Sequence, residues 1–242
     1  MISLSIIAVS CLFSVFVFLD LVSHAPRLSG SLLGLNGLGF AFQTMVNTVK
    51  RIFLVLIPPA LGLVAINGKP TDVFVAVFTS HFSAIISFLV VFFSRQWIVD
   101  FFCSTIRSYA EGSGIMSAFA DKFRNKRNNE KPIEIKIDAR SVRGEIFLSA
   151  VWIFFFYTSA GFLINIFAVA SPDYSFIILQ LTGVINACGT LVLAFFLDPR
   201  ISRIYEHGGD VETVYVSLFF AQFANVVVIS PFFYLIIFLS VF

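Results

Sequence analysis

The stretch QTMVNTVKRIFLVLIPP, residues 43–59, places two adjacent cations, Lys50 and Arg51, inside what otherwise resembles a bilayer-spanning helix. On membrane-insertion scales, a Lys or Arg near the centre of a spanning helix costs about 2.5–3.5 kcal/mol. Two unpaired cations at mid-bilayer would therefore cost roughly 5–7 kcal/mol. They must either reach an interface, where the charge meets water, or line a wet cavity that receives an anion.

The composition of the whole chain also favours a membrane environment. Of its 242 residues, 58% are hydrophobic and 12% are charged. An ordinary soluble domain carries about 25% charged residues. Apolar runs long enough to cross a hydrocarbon core of about 30 Å recur along the sequence. These features predict an all-α, polytopic membrane helical bundle that forms a single integral membrane domain over residues 1–242, and the net charge of +2 does not suggest nucleic-acid binding.

Six transmembrane helices are the simplest division of the apolar runs. They cover about residues 2–22, 31–66, 73–102, 144–170, 174–197 and 213–241. At 1.5 Å per residue the second would measure on the order of 55 Å, nearly twice the hydrocarbon core. Pro58 and Pro59 also remove two backbone donors from it. We therefore expect this second span to be broken or kinked, and a split at Lys50-Arg51 would give seven spans.

A basic loop at residues 103–143 separates the third and fourth spans. Because cytoplasmic loops are enriched in Lys and Arg, we predict that this loop, and above all its part 121–143, is cytoplasmic and that both termini lie outside. Within it, PIEIKIDARSV (132–142) alternates apolar and charged residues, which is compatible with a short strand or an interfacial segment. The basic residues of the loop are Lys122, Arg124, Lys126, Arg127, Lys131, Lys136, Arg140 and Arg143.

Polar side chains at helical spacing indicate where an anion would bind. Gln43, Asn47 and Lys50 or Arg51 lie three or four residues apart and therefore share one face of a helix. Such residues either bind a ligand or join neighbouring helices through hydrogen bonds. The fifth span carries a similar polar stripe that contains Gln180, Thr182, Asn186 and Thr190.

Charged residues near the ends of the first and fifth spans extend this pattern. Asp20 and Arg27 stand near the end of the first span, and Asp198 and Arg200 follow the fifth. Each pair can simply terminate a helix at the interface. In the functional interpretation, Asp20 and Asp198 balance the charge of the empty site. Arg27 and Arg200 then attract an anion from the cytoplasm.

The sequence contains no pattern typical of catalysis or metal binding. It has no Walker loop, no nucleophile elbow, no HExxH and no Cys/His cluster. Cys11, Cys103 and Cys188 are far apart, without the spacing of metal ligands. We therefore predict a protein that is not an enzyme, has no catalytic or metal-binding residues, requires no cofactor and does not hydrolyse ATP.

Three ordered segments resemble the Amj family of bacterial lipid II flippases. LDLVSHAPRLSG (19–30) resembles the opening motif of that family, and LQLTGVINACGTLVLAFFLDPRIS (179–202) resembles its late span. Between them, FAFQTMVNTVKRIFLVLIPPALG (40–62) follows at the expected place. The family positions matched in this middle segment are Arg51, Pro59 and Gly62.

The resemblance implies a flippase for lipid II, the undecaprenyl-pyrophosphate-linked disaccharide-peptide used in peptidoglycan biosynthesis. Such a protein moves its substrate from the cytoplasmic to the outer leaflet of the bacterial inner membrane by ATP-independent alternating access, and so supports the cell wall and cell shape. Its partners would be lipid II or a related undecaprenyl-linked lipid, the surrounding membrane lipids and envelope-synthesis proteins.

The residues themselves fit such a substrate. A pyrophosphate carries negative charge, which Arg binds through bidentate contacts and Lys as a point charge. We therefore expect Arg51 and Lys50 to hold the pyrophosphate, and amides of the second and fifth spans to bind the sugar and peptide. Two alternatives remain: a transporter of polyprenyl phosphate or a small anion, and a non-transporting scaffold of envelope synthesis.

Overall fold

The computed structural model describes residues 2–124, 139–207 and 209–241, and these ranges are helical almost throughout, with no strand among them. The predicted all-α helical bundle is therefore confirmed. The first part of PIEIKIDARSV and the basic residues Lys126, Arg127, Lys131 and Lys136 lie outside the described residues. The helices are α1 (Ile2–Val22), α2 (Ala25–Leu32), α3 (Asn36–Asn67), α4 (Pro70–Ala110), α5 (Ile115–Arg124), α6 (Gly144–Ala170), α7 (Ser175–Val192), α8 (Asp198–Glu206), α9 (Val211–Phe223) and α10 (Ser230–Val241).

Two π-helical segments keep neighbouring helices continuous. Leu193–Leu197 joins α7 to α8, and Ala224–Ile229 joins α9 to α10. Within the described ranges, six helical segments are long and apolar enough to cross a membrane. They cover Leu4–Leu32, Asn36–Ile66, Thr71–Ala110, Gly144–Ala170, Pro172–Glu206 and Val211–Ser240. The chain is therefore a multi-pass membrane protein with six candidate spans.

The second span is not broken at the positions that the sequence suggests. Helix α3 runs without interruption through Lys50-Arg51 and through Pro58-Pro59, so the seven-span alternative is wrong. The real interruption lies earlier, between α2 and α3, and the predicted start at residue 31 falls within α2. In lipid, a helix cannot open without exposing backbone groups that find no water, which explains why two prolines do not divide this one.

The predicted loop at 103–143 begins too early. Helix α4 continues to Ala110, and its last turns bury Cys103, Thr105 and Ile106. Ser29 of α2 donates a hydrogen bond to the carbonyl of Val99 at 3.0 Å, so the end of α4 packs on α2. The predicted start of the loop at residue 103 is therefore wrong. The helix continues beyond it because its inward-facing side remains apolar.

Serine side chains join α1 and α4 closely. The hydroxyl groups of Ser14 and Ser83 lie 2.8 Å apart. Ser87 donates to the carbonyl of Ser14 at 2.7 Å, and Ser83 donates to the carbonyl of Ser10 at 3.2 Å. Small residues let membrane helices approach closely, and their hydroxyl groups add hydrogen bonds between the helices. These hydrogen bonds hold α1 and α4 close together.

Two glycines allow α2 to fold back onto the start of α3. A Cβ atom built on Gly30 would lie 2.5 Å from the Cα atom of Gly39, and one built on Gly39 would lie 2.8 Å from the Cα atom of Gly30. The turn between the helices uses Gly34 with a φ of 70°, a left-handed conformation that favours glycine. This close crossing sets the position of α3 relative to the end of α1.

The N-cap of α9 supports a first prediction. Asp210 accepts hydrogen bonds from the backbone N–H of Thr213 at 3.0 Å and from its hydroxyl, and these bonds lower the pKa of the Asp210 carboxyl. We expect Asp210→Ala to lower the free energy of unfolding by about 1 kcal/mol at neutral pH. The native contribution should fade as the pH falls through the lowered pKa, since a protonated carboxyl accepts these bonds poorly. Thermal unfolding in detergent measures this stability contribution, with Asp210→Asn as a control that keeps a capping side chain. Equal stability of the native protein and the two variants would contradict the prediction.

Candidate functional site

A cavity of about 200 Å³ lies between α3 on one side and α7, the π-helical segment Leu193–Leu197 and α8 on the other. α1 and α6 contribute to its wall. Its lining consists of Asp20, His24, Phe40, Gln43, Thr44, Asn47, Thr48, Lys50, Arg51, Phe154, Tyr157, Thr190, Leu193, Ala194, Leu197, Asp198, Ile201 and Leu218.

The polar stripe of α3 supplies one wall of this cavity. Gln43, Asn47, Lys50 and Arg51 all line it, because positions three and four apart lie on one face of a continuous helix. Gln43 and Lys50 are buried, Asn47 is half-buried and Arg51 is exposed. The spacing in the sequence therefore located this wall correctly.

Lys50 forms a buried ion pair with Asp20 of α1. Its ammonium group donates to Asp20 Oδ1, and the side chains of Lys50 and Asp20 are only 9% and 2% exposed. The ammonium nitrogen also lies 5.2 Å from the ring centroid of Tyr157 and 5.9 Å from that of Phe16, which favours a cation. The second oxygen of the carboxylate, Asp20 Oδ2, is buried and has no hydrogen-bond partner in the described part of the chain.

A second acid–base pair closes the end of the cavity near α2 and α8. Arg27 Nη1 lies 3.9 Å from Asp198 Oδ1, and Arg27 also donates a hydrogen bond to the hydroxyl of Ser202. Its guanidinium group stands over the rings of Phe40 and Tyr205, at 5.3 and 5.1 Å from their centroids. The structure thus places Arg27 behind Asp198, where it joins α2 to α8, and not among the lining residues.

Arg51 is the lining cation without a counter-ion. Lys50 pairs with Asp20 and Arg27 pairs with Asp198, whereas Arg51 forms no ion pair or hydrogen bond through its side chain with another described residue. It borders the cavity and is exposed. An incoming anion can therefore bind the Arg51 guanidinium without first displacing a protein carboxylate.

Several neutral polar atoms in the cavity wall also have no protein partner. Both ring nitrogens of His24, Gln43 Oε1 and Asn47 Oδ1 are buried and make no hydrogen bond with the described residues. Buried polar atoms are nearly always hydrogen-bonded in folded proteins. These three side chains thus have hydrogen-bonding capacity left for water or for a polar ligand.

Other predicted residues lie away from this group. Gln180 is exposed on α7, and Asn186 is half-buried; neither lines the cavity, although Thr190 from the same stripe does. Arg200 is exposed at the surface, and its Nη2 lies 3.8 Å from Glu145 Oε2. The structure therefore does not bring Gln180, Asn186 or Arg200 together with Lys50 and Arg51.

Sequence reasoning missed two features of the site. Tyr157 of α6 faces the ammonium group of Lys50, and nothing in its Phe-rich surroundings marks it as different from a packing residue. The π-helical segment carries Leu193, Ala194 and Leu197 into the lining. The sequence feature that could have indicated this π-helical segment is Pro199, because proline disturbs the backbone hydrogen bonds of the preceding turn. π-helical turns occur frequently at functional sites.

The fold and the cavity together define a polytopic helical membrane protein with a charged internal site. A comparison with family models, curated proteins and solved structures finds no match to this chain. The site's chemistry therefore carries the functional interpretation.

Proposed function

We propose that the protein is an ATP-independent transporter that moves a phosphate-bearing anionic lipid, and in the first place lipid II, across the bacterial inner membrane. The observation that carries this proposal is the unmatched Arg51 beside the buried Lys50–Asp20 pair in a cavity between spanning helices. In the proposed orientation both termini lie outside and the basic 121–143 segment is cytoplasmic.

The chemistry of the cavity wall suits a phosphate. The planar guanidinium of Arg51 is able to bind two phosphate oxygens at once, whereas the Lys50 ammonium acts as a point charge. Gln43 and Asn47 add neutral hydrogen-bonding groups beside these cations. An anion held by Arg51 would thus find a second cation one residue away and amide groups along the same helix face.

The arrangement of α3 and α7 suits a substrate with a long lipid tail. These helices flank the cavity. In the described part of the chain, α3 and α7 each make more contacts with α6 than with one another. Both expose apolar side chains, including Ile52 and Val55 on α3 and Val184 and Leu191 on α7. In alternating access, the polyprenyl chain would stay in lipid along these surfaces while the phosphate enters the cavity.

Replacing Arg51 tests the proposal directly. We expect Arg51→Ala to reduce transport about tenfold to hundredfold, because a charge-assisted hydrogen bond to the phosphate is lost. The assay measures surface-exposed precursor in cells that lack other flippases. Arg203→Ala is the matched control, since Arg203 is an exposed arginine outside the cavity. Normal export by Arg51→Ala at normal expression would refute the role of Arg51.

A second candidate substrate is a polyprenyl phosphate without a large headgroup. The observation that favours it is the cavity volume of about 200 Å³. Ligand sites typically measure roughly 300–1,000 Å³, and a disaccharide-peptide needs more space than a single phosphate. Binding of lipid II and of undecaprenyl phosphate to the purified protein compares the two candidates. Reconstituted vesicles that bind neither lipid and show no flipping would favour a non-transporting scaffold.

A further inference from the structure

We propose that the cavity binds one proton together with the lipid anion, and that the Asp20 carboxylate is the proton acceptor. This inference rests on the proposed function and adds an energy-coupling role to the same site. It starts from three observations: Asp20 is almost fully buried, its cationic partner is Lys50, and its second oxygen has no partner among the described residues.

Entry of an anion would leave the negative charge of Asp20 without its cation. Lys50 lies next to Arg51, so a phosphate bound at Arg51 also attracts the Lys50 ammonium away from Asp20. Removing one partner of a buried ion pair leaves an uncompensated charge, which is strongly unfavourable. A buried carboxylate avoids that cost by taking up a proton. Asp20 would thus become neutral as Lys50 transfers its ion pair to a phosphate oxygen.

The step balances in charge and in atoms. In the empty site, the Asp20 carboxylate and the Lys50 ammonium sum to zero. In the loaded site, the ammonium pairs with one negative charge of the phosphate, and Asp20 carries one proton on its carboxyl group. The Arg51 guanidinium compensates the second negative charge of a pyrophosphate diester. One proton and two negative charges have then entered together, and the Arg51 charge, which has no counter-ion in the empty site, is compensated in the loaded one.

The other ionisable groups around Asp20 are less suitable acceptors. His24 lies one turn further along the chain from Asp20, and protonating it would add positive charge beside Lys50 while Asp20 stays ionised. Asp198 of α8 lies 3.9 Å from Arg27 of α2, and because Arg27 does not line the cavity, an entering anion does not compete for it. The hydroxyl of Tyr157 on α6 is already protonated, and the cavity linings from α7 and α9 contribute no acid or base.

Proton co-binding gives transport a direction. Loading is favoured on the more acidic side of the membrane, and release is favoured on the more alkaline side. A lipid returned from an acidic outer face to the cytoplasm would be driven by such a gradient. A lipid exported towards the acidic face would have to be withdrawn there by the reaction that consumes it.

The test uses the full-length protein in detergent and a probe whose charge does not change with pH. Farnesyl-pyrophosphoryl-N-acetylglucosamine is suitable, because its pyrophosphate is a diester. Uptake of one proton on binding predicts that the Kd rises as the pH rises, by about tenfold per pH unit where a full proton is taken up. Calorimetry in two buffers of different ionisation enthalpy should count about one proton taken up per probe bound.

Three variants assign the proton to Asp20. Asp20→Asn should bind the probe with a Kd that changes less than about twofold over the same pH range. Should this variant fold poorly, Asp20→Asn/Lys50→Met removes the whole pair and should show the same flat profile through Arg51. Glu145→Gln is the control, since Glu145 is an exposed carboxylate paired with Arg200 outside the cavity, and it should keep the native slope.

The outcomes separate this inference from the proposed function. Absence of probe binding by the native protein at every pH would refute both. Binding that is independent of pH, with no proton taken up, would overturn proton co-binding and leave anion binding intact. A slope that persists in Asp20→Asn but disappears in His24→Gln or Asp198→Asn would place the proton elsewhere and would also overturn the assignment to Asp20.

Discussion

Lys50→Met is expected to lower the free energy of unfolding by about 3–5 kcal/mol, because it leaves the buried Asp20 carboxylate without its cation. The Asp20 side chain is 2% exposed, so water cannot replace the lost ammonium group without opening the bundle. Arg51 is adjacent in sequence but does not contact this carboxylate. The variant therefore tests whether the Lys50–Asp20 pair joins α1 to α3 inside the bundle.

The double variant Asp20→Asn/Lys50→Met is the matched control. Replacing both members of a buried ion pair is often nearly neutral, since neither charge then remains uncompensated. We expect it to regain most of the stability that Lys50→Met loses, as measured by unfolding in mixed detergent micelles. A double variant as unstable as the single one, or a single variant as stable as the native protein, would contradict the buried pair.

Gly39→Ala is expected to destabilise the protein by about 2–3 kcal/mol or more, because its new methyl group would meet backbone atoms of α2. The added Cβ would lie 2.8 Å from the Cα atom of Gly30 and 2.9 Å from the carbonyl oxygen of Pro26. Neither atom belongs to a flexible side chain, so α2 and α3 would have to separate. The same separation would move Asn36 and Phe40 at the start of α3.

Gly37→Ala, two residues earlier on the same helix, is the control for the helix propensity of alanine. Apart from its chain neighbours and the backbone of its own helix, no atom of the described residues lies within 4 Å of a Cβ atom built on Gly37. Alanine is favoured over glycine in a helix by about 0.5–1 kcal/mol, so this variant should be neutral or slightly more stable. Thermal unfolding of both variants checks the prediction, and equal effects of the two substitutions would show that the close crossing of α2 and α3 is wrong.

The part of the site that could be predicted from the sequence is the part carried by one helix. Gln43, Asn47, Lys50 and Arg51 share a face because helical geometry relates residues three and four apart, whatever the helix packs against. Because an unpaired charge is costly in lipid, an acid such as Asp20 could also be expected near Lys50. Local geometry and desolvation thus sufficed for this wall.

The contacts between distant helices could not be derived in this way. Arg27 meets Ser202 and Asp198 only because α2 packs against the start of α3 at Gly30 and α8 follows a π-helical segment. Asn186 and Gln180 share the spacing of the α3 stripe, but they lie four and ten residues before Thr190, the residue of this stripe that lines the cavity. At about 1.5 Å per residue they stand roughly 6 and 15 Å further along the axis of α7. The position of the cavity along the helix depends on how α7 packs on α6, and a polar stripe alone does not determine it.

The bundle is packed unevenly. The serine contacts Ser14–Ser83 and Ser87–Ser14 join α1 closely to α4, whereas α7 packs mainly on α6 and leaves most of its surface exposed. In the proposed transport cycle, we therefore expect α7 to move and α1 and α4 to stay together. Two exposed native thiols, Cys11 on α1 and Cys188 on α7, lie on these two parts and offer attachment points for spin labels. The distance between these two labels would report any movement of α7 relative to α1.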